Sequence, residues 1–272
     1  MNDMGIKSKI RKYLKAILGP AFFPLWKVFF FCKMHVIDCK IRKNDYVVQL
    51  PNIHSLFYLP FIKTDEIQYD IYFSKDYYVR KSLDFIANQW HNGLIREVVR
   101  SKTMLDIGSN IGNHTLYFIN ECGARFVYCF EPASDTFRIL KRNIKVNHLE
   151  NKTILFNVGV GCKSGEAIIA SSKDKNTAYT KIAVSEEGNI KVVSIDELSL
   201  AETVGFVKID VEGFELEVIK GMQGTLKKDK PIVMIEIWND NFEEINRIMH
   251  SLGYKVDILE QHKHQGDYLY YS

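Results

Sequence analysis

Short apolar runs and amphipathic segments alternate along the chain from about residue 102 onward. The apolar runs are bounded by Gly, Pro, Asn or acidic residues, so we predict that they are buried strands. Between most of them, apolar side chains recur every three or four positions, which predicts helices. The predicted strands span residues 103–107, 126–130, 154–158, 206–209 and 232–237, and the predicted helices cover residues 137–144, 214–226 and 242–252. This alternation is typical of an α/β protein with a mostly parallel sheet covered on both faces.

Two regions in this part of the chain depart from the alternation. Residues 160–195 hold glycines and β-rich pieces where a helix is expected, which predicts a β-excursion over one end of the sheet. Residues 254–259 and 267–271 have the pattern of two strands joined by a turn, and they predict an antiparallel pair at the C-terminus.

The region ahead of residue 102 has a different pattern. Alternating apolar positions predict one strand at residues 46–50 and another at residues 67–73. The apolar residues from Val79 to Val98 recur every three or four positions, and they predict a single amphipathic helix. We therefore expect an accessory region of strands and a helix over residues 46–95.

Composition and charge divide the chain into two parts. With 46% hydrophobic and 25% charged residues, the sequence is that of a globular protein. The net charge of +3 conceals an asymmetry, because residues 1–43 hold ten basic and two acidic residues and the remainder carries −5. A mildly acidic main body disfavours a nucleic-acid substrate. The five cysteines form no C-x-x-C pair, so we expect reduced, mostly buried thiols rather than a zinc site or disulfides.

The basic segment begins with a predicted amphipathic helix that ends at Gly19-Pro20, and it continues into an aromatic run over residues 21–32. Pro24 and Lys27 interrupt this run, and spanning a bilayer takes about 20 apolar residues. No small-residue cleavage site follows it, which disfavours a signal peptide. Two hypotheses stay open: residues 1–32 lie on an anionic membrane surface, or they pack on the main domain. We accordingly expect a cytoplasmic protein, either free or peripheral on the inner membrane face.

The residues that point to chemistry begin with a glycine-rich turn between a predicted strand and a helix. Residues 104–114 read Met-Leu-Asp-Ile-Gly-Ser-Asn-Ile-Gly-Asn-His. Glycines in such a turn let the backbone approach a ligand closely, and the helix N-terminus offers free N–H groups. Asn110 takes the middle glycine position, and asparagine tolerates left-handed backbone geometry. Glu131 ends the next strand, where a carboxylate accepts hydrogen bonds from ribose hydroxyls of an adenosine ligand.

Two classes of adenosine ligand use this arrangement, namely dinucleotides and S-adenosylmethionine (SAM). A dinucleotide turn has the spacing G-x-G-x-x-G, whereas Asn113 stands here where the third glycine is expected. Asp106 precedes the turn, where a carboxylate repels a pyrophosphate and attracts the ammonium group of SAM. We therefore predict SAM as the cofactor. The predicted cofactor-binding residues are Asp106, Gly108, Ser109, Asn110, Gly112, Asn113, Glu131 and Pro132.

Five motifs, in the same order, closely resemble the FkbM-type SAM-dependent methyltransferases. They are D-I-G-S-N-I-G-N-H-T, F-E-P, V-S-I-D-E-L, F-V-K-I-D-V-E-G-F-E and I-V-M-I-E-I, and the resemblance covers roughly residues 97–260. It implies the class I methyltransferase fold, a Rossmann-like seven-stranded sheet whose last strand is antiparallel. It also implies O-methylation, typically of a sugar hydroxyl in a glycan, glycolipid or natural product. Residues 1–45 are not part of the resemblance.

Carboxylates follow or end the fourth and fifth predicted core strands, and ligands of open α/β sheets bind beyond the carboxyl ends of strands. We expect Asp210 to position the acceptor hydroxyl or to take its proton, with Glu212 as the second choice. Glu236 and His114 are weaker choices. Three of these four residues also have a purely structural interpretation: a helix cap for Glu212, packing for His114, and an ordinary strand-end carboxylate for Glu236. The three carboxylates offer oxygen ligands for Mg²⁺, but their spacing does not establish a metal site and we predict none.

Three segments are therefore predicted. They are a basic, aromatic N-terminal segment at residues 1–45, an accessory region at residues 46–95 that covers the acceptor site, and a SAM-dependent methyltransferase domain at residues 96–272. The predicted function is O-methylation of a saccharide, glycolipid or similar small molecule. Two alternatives remain open: an NAD-dependent oxidoreductase, and a catalytically inactive methyltransferase fold that serves as an interaction module.

Overall fold

The computed structural model describes residues 32–37, 39–173, 176–184, 188, 190–198 and 200–272. The chain divides into two compact units, and their boundary lies between Val47 and Val48. In the first unit, residues 32–37 and 39–42 are helical. The helix predicted ahead of Gly19 and most of the aromatic run lie outside the described residues. In the part of the chain that is described, no helix is long and apolar enough to cross a membrane.

Short elements precede the main sheet. Two strands that pair with each other are followed by helices, in the order β1 (Val47–Gln49), β2 (Leu56–Tyr58), α1 (Glu66–Ser74), α2 (Arg80–Asn88), a 3₁₀ turn (Trp90–Gly93) and α3 (Leu94–Ser101).

The strand predicted at residues 67–73 is wrong, because this segment forms α1. The Asp65 side chain caps the helix by accepting a hydrogen bond from the Gln68 N–H at 2.8 Å. The helix buries Gln68 and Ile71, which are three residues apart as on one helix face.

The single helix predicted from Val79 to Val98 is also wrong, because the chain turns between α2 and α3. His91, Asn92 and Gly93 have φ angles of +42°, +58° and +81°, all in the left-handed region. A right-handed helix cannot continue through such residues. The apolar residues recur at helical spacing on both sides of the break because each of the three segments buries apolar side chains of its own.

Strands and helices then alternate to the C-terminus. The elements are β3 (Thr103–Ile107), α4 (Asn113–Asn120), β4 (Phe126–Phe130), α5 (Ser134–Val146), a 3₁₀ turn (Glu150–Lys152), β5 (Thr153–Phe156), β6 (Gly159–Val160), β7 (Gly165–Lys173), β8 (Asn176–Val184), β9 (Ile190–Val193), β10 (Val204–Ile209), α6 (Glu215–Lys220), α7 (Gln223–Asp229), β11 (Ile232–Trp238), α8 (Asn239–Ser251), β12 (Lys255–Gln261) and β13 (Gln265–Tyr271). The helix predicted at residues 214–226 is in fact the pair α6 and α7. Between them, Gly221 approaches the β6–β7 turn so closely that a Cβ would lie 1.9 Å from the Gly161 carbonyl oxygen.

The described strands form a seven-stranded main sheet in the order β5-β4-β3-β10-β11-β13-β12. Neighbours from β5 to β11 are parallel, whereas β13 is antiparallel to both β11 and β12. The predicted class I methyltransferase fold, with an antiparallel last strand, is confirmed. A separate sheet in the order β6-β9-β7-β8 confirms the strands predicted in place of a helix, within the described part of residues 160–195.

Apolar side chains pack on both faces of the main sheet, as side-chain alternation along a strand requires. On β3, Met104 packs into the cluster that includes α2 to α5, while Leu105 packs into the cluster that includes α6 to α8. Phe206 and Val207 of β10 divide in the same way.

All five cysteines are free, but the prediction that most are buried is wrong. Cys122 and Cys129 lie in the core, whereas the other three, outside the main sheet and its helices, are exposed: Cys32, Cys39 and Cys162.

Two asparagines, one in the last turn of α5 and one directly after it, hold the segment that precedes the main sheet. Asn147 accepts a hydrogen bond from the Leu56 N–H and donates one to the Leu56 carbonyl, both at 2.8 Å. Asn143 accepts one from the Tyr58 N–H at 2.6 Å. These side-chain amides satisfy backbone groups of β2 in the way a neighbouring strand would.

Candidate functional site

The glycine-rich turn between β3 and α4 has the left-handed geometry that the sequence predicts. Gly108, Asn110 and Gly112 have φ angles of +76°, +50° and +91°. The Asp210 N–H donates to the Ile107 carbonyl at 3.1 Å, which brings the segment after β10 against this turn. A Cβ at Gly108 would lie only 1.8 Å from the Asp210 carbonyl oxygen. Glycine is therefore required at position 108 both by the backbone angle and by this close approach.

Glu131, the residue after β4, has a buried carboxylate that is held against the same turn. One oxygen accepts a hydrogen bond from the Asn110 N–H at 3.0 Å, and the other accepts one from the Ala133 N–H at 2.9 Å. Burial raises the pKa of Glu131 to about 7, although these hydrogen bonds and the positive charge of Lys208 oppose the shift. Each carboxylate oxygen keeps a further lone pair that can accept a hydroxyl hydrogen bond.

A cavity of about 190 Å³ lies at the carboxyl ends of the parallel strands. The order of strands in the sheet divides its lining into two halves. The turn half is formed by Ile107, Gly108, Asn110, Phe130, Glu131, Pro132, Val158, Gly159 and Val160. The carboxylate half is formed by Glu66, Ile67, Tyr78, Asp210, Val211, Glu212, Glu236 and Gln265. Residues of the predicted accessory region thus line the same cavity as residues of the main sheet.

Seven of the twelve predicted site residues line this cavity, and the structure therefore brings them together: Gly108, Asn110, Glu131, Pro132, Asp210, Glu212 and Glu236. The remaining five do not line it: Asp106, Ser109, Gly112, Asn113 and His114. Ser109 instead fixes the turn, since its hydroxyl donates to the Asp106 carbonyl at 2.6 Å and accepts from the Phe130 N–H at 3.0 Å. The roles of all twelve toward a ligand stay predictions.

Asp106 is fully buried and belongs to an ionic network with Lys208 and Asp210. One carboxylate oxygen accepts a hydrogen bond from the Thr115 hydroxyl at 2.5 Å, and the other lies 3.6 Å from Lys208 Nζ. Lys208 is 2% exposed, donates to the Gly108 carbonyl at 2.6 Å and lies 3.5 Å from the Asp210 carboxylate. Burial opposes its positive charge, but the carboxylates of Asp210, Asp106 and Glu236 outweigh burial and raise the pKa of Lys208. Lys208 therefore contacts both halves of the cavity, through the Gly108 carbonyl of the turn half and the Asp210 carboxylate of the carboxylate half.

His114 and Glu236, the weaker choices for a catalytic base, have opposite pKa shifts. Burial and the positive charge of Lys208 lower the pKa of the His114 imidazole to about 3, so it is neutral and weakly basic at physiological pH. Burial, followed by the charges of Asp210, Asp267 and Glu212, raises the pKa of Glu236 to about 9. Glu236 is therefore protonated near neutral pH and cannot accept a proton there.

The sequence analysis missed Tyr78, which lines the carboxylate half. Asn113 accepts a hydrogen bond from the Tyr78 N–H at 2.9 Å and donates one to its carbonyl at 3.2 Å. The next residue, Val79, has a φ of +51°, a conformation that is rare for a β-branched side chain. Burial, with the charges of nearby carboxylates, raises the pKa of Tyr78 to about 12 and keeps its hydroxyl protonated. Glu66 and Gln265 were missed as well, because no local pattern marks them.

A family model for the methyltransferase FkbM domain matches residues 106–256, which include the turn, Glu131 and the carboxylates after β10 and on β11. The chain belongs to the FkbM methyltransferase family. This confirms the resemblance that the five motifs indicate. The matched region also includes the β6–β9 sheet, so the family pattern continues through the β-excursion.

Individual relatives of this FkbM-family chain share parts of it. The hexuronic acid methyltransferase AglP of Haloferax volcanii is 33% identical over 147 residues, which are 53% of this chain and 59% of AglP. Methyltransferase 1 of Beauveria bassiana is 22% identical over 181 residues, covering 57% of this chain and 73% of that protein. The crystal structure of methyltransferase FkbM from Methylobacillus flagellatus is 21% identical with a TM-score of 0.48, over 63% of this chain and 43% of that one. This chain therefore matches less than two thirds of the length of AglP.

Proposed function

We propose that the protein is a SAM-dependent O-methyltransferase that acts on a hydroxyl of a saccharide, glycolipid or similar small molecule. One observation carries the proposal: the left-handed turn, the Glu131 carboxylate and the Asp210 carboxylate line a single cavity. Family membership supports methyl transfer, and the similarity to a hexuronic acid methyltransferase supports a saccharide acceptor.

The turn half fits the chemistry of SAM. Glu131 would accept hydrogen bonds from the ribose hydroxyls, and the apolar side chains of Phe130, Pro132 and Val158 would enclose the adenine. When bound, SAM supplies a methyl group activated by its sulfonium. The buried position of Glu131 keeps water away from the hydrogen bonds that it would make.

The carboxylate half offers Asp210 and Glu212 for the transfer step. Asp210 would take the hydroxyl proton while the acceptor oxygen forms its bond to the methyl carbon and the methyl–sulfur bond breaks. Its side chain is 37% exposed, so an acceptor can reach it. Glu236 is protonated and His114 is a weak base near neutral pH, which leaves Asp210 and Glu212 to accept the proton. Holding the hydroxyl in line with the breaking bond would provide much of the acceleration.

Two measurements test this proposal. Isothermal titration calorimetry with SAM, S-adenosylhomocysteine and NADH should show binding of the first two ligands and none of NADH. Transfer of tritium from methyl-labelled SAM to extracted cell-envelope glycans should occur with the wild type and be lost in Asp210→Asn, while that variant still binds SAM.

A matched variant and three outcomes complete the test. Glu150→Gln, an exposed change remote from the cavity lining, should leave both binding and transfer unchanged. A folded protein that does not bind SAM would sink the proposal, and NADH binding in its place would favour the oxidoreductase alternative. SAM binding without transfer to any glycan fraction would favour an inactive interaction module.

A further inference from the structure

Carboxylates form a row across four neighbouring strands, from the end of β10 to the sheet edge at β12. Glu236 of β11 lies opposite Asp267 of β13, which lies opposite Glu260 of β12. Asp210 follows β10, the other neighbour of β11. Residues opposite each other on adjacent strands point to the same face of a sheet. Since adjacent strands lie about 4.8 Å apart, this carboxylate row extends roughly 14 Å from the proposed point of methyl transfer.

The carboxyl groups of the row act on one another, because the negative charges of Asp210, Asp267 and Glu260 raise the pKa of their neighbours. Burial raises the pKa of Glu236 to about 9, and the negative charges of Asp210 and Asp267 contribute to this shift. Burial and the negative charge of Asp210 raise the pKa of Asp267 to about 6, and the charge of Glu260 acts in the same direction. Glu66, from α1, lines the same half of the cavity. A ligand in this half therefore meets acidic groups from three separate parts of the chain.

Lys208 lowers the pKa of Glu236 and His262 lowers that of Asp267, so both basic groups act on this row. Lys208 is 2% exposed and already contacts Asp106, Asp210 and the Gly108 carbonyl, so its charge is balanced beneath the cavity. His262 lies 3.7 Å from Glu260 at the exposed end of the row. Neither group is placed to neutralise a ligand carboxylate beside Asp210.

We infer that the acceptor is an amine-bearing saccharide, with the amine on or next to the sugar that is methylated. This inference rests on the proposed function and adds the charge class of its acceptor. An ammonium group in this half of the cavity would be attracted by Asp210, Glu212 and Glu66, whereas a uronic acid would bring a like charge among them. The protonated Tyr78 hydroxyl and the Gln265 amide add hydrogen-bond donors for sugar oxygens in the same half. The site therefore ranks amine-bearing acceptors above neutral ones, and neutral acceptors above uronic acids.

Three glycosides that differ in one substituent test this ranking: methyl glucosaminide, methyl glucoside and methyl glucuronide. Tritium transfer from methyl-labelled SAM and saturation-transfer NMR with the S-adenosylhomocysteine complex are measured for each, once with EDTA and once with Mg²⁺. We expect the glucosaminide to exceed the glucuronide at least tenfold in either readout, with the glucoside between them. The double variant Asp267→Asn/Glu260→Gln should reduce this ratio at least threefold, while Glu150→Gln should leave it unchanged.

Each contrary outcome has a distinct meaning. A glucuronide that equals or exceeds the glucosaminide in EDTA overturns the inference. A glucuronide that is preferred only with Mg²⁺ overturns it too, and shows that a metal ion neutralises the row. Absence of binding by all three glycosides, with SAM binding intact, overturns the assignment of a saccharide to the carboxylate half. Absence of SAM binding is the separate failure of the proposed function itself.

Discussion

Replacing Lys208 by methionine tests whether one buried lysine holds both halves of the cavity together. Lys208→Met keeps an unbranched apolar stem of nearly the same length but removes the ammonium group. The 2% exposed ammonium lies 3.6 Å from Asp106 and 3.5 Å from Asp210, and it donates to the Gly108 carbonyl at 2.6 Å. After the substitution, the fully buried Asp106 carboxylate keeps only the Thr115 hydroxyl among the hydrogen bonds described.

The expected loss in the free energy of unfolding follows from this burial. Removing one partner of a buried ion pair costs about 3–5 kcal/mol, because the remaining charge is left without compensation. Asp210 is partly exposed and can be solvated, so most of the loss comes from Asp106. SAM affinity should fall as well, since the Gly108 carbonyl loses the donor that fixes the turn.

Urea titration of the wild type, Lys208→Met, Asp106→Asn and the double variant gives the coupling between the two residues. The double variant removes both charges, and we expect it to recover at least about 2 kcal/mol relative to the sum of the single losses. The exposed Lys141→Met on α5 is the matched control and should change stability by less than about 0.5 kcal/mol. A loss below about 1 kcal/mol in Lys208→Met, or strict additivity in the cycle, would refute this account of the network.

Three further predictions concern pH and the N-terminal segment. Because the pKa of buried Glu131 is about 7, SAM affinity should rise from pH 6 to 8 as the carboxylate ionises, and calorimetry should find no such rise in Glu131→Gln; an equal rise in that variant contradicts the assignment. The pKa of Glu236 is about 9 when folded against an ordinary value of 4.5, so the folded state binds more protons in between and stability should fall as pH rises through that window. Urea titrations at pH 5, 7 and 9 should show a smaller fall in Glu236→Gln, and an identical slope would contradict this. Deleting residues 1–32 should abolish sedimentation with anionic liposomes but leave SAM binding intact; unchanged sedimentation removes the membrane hypothesis.

The main sheet could be predicted because its strands obey a local rule. Buried parallel strands are apolar runs between turn residues, and the predicted bounds at residues 103–107 and 126–130 are those observed for β3 and β4. The accessory region follows no such rule. Alternation at residues 67–73 concealed a short helix that the Asp65 side chain caps. The break at His91-Asn92-Gly93 does have a local signal, because these residue types favour left-handed backbone, but the regular apolar spacing on either side outweighed it in the prediction.

The candidate site shows the same division between local and long-range signals. Most of the turn half lies within a strand–turn–helix unit and the end of the next strand, so spacing along the chain predicts it, whereas residues 158–160 join it only through the fold. The carboxylate half joins Glu66, Tyr78 and Gln265, which are separated by up to 199 residues in the sequence and meet only through the fold. The carboxylate row likewise exists only because β13 inserts between β11 and β12 and brings Asp267 beside Glu236.

The Asn113 side chain links the start of α4 to the carboxylate half of the cavity. Its role toward the cofactor stays a prediction, while its side chain accepts a hydrogen bond from the Tyr78 N–H and donates one to the Tyr78 carbonyl. Asn113 is also the first residue of α4, so these two hydrogen bonds join the start of the helix after the turn to Tyr78. The adjacent left-handed Val79 is a strained conformation that such a double hydrogen bond helps to maintain. The glycine-rich turn and the Tyr78 wall of the carboxylate half are therefore joined at the N-terminus of α4.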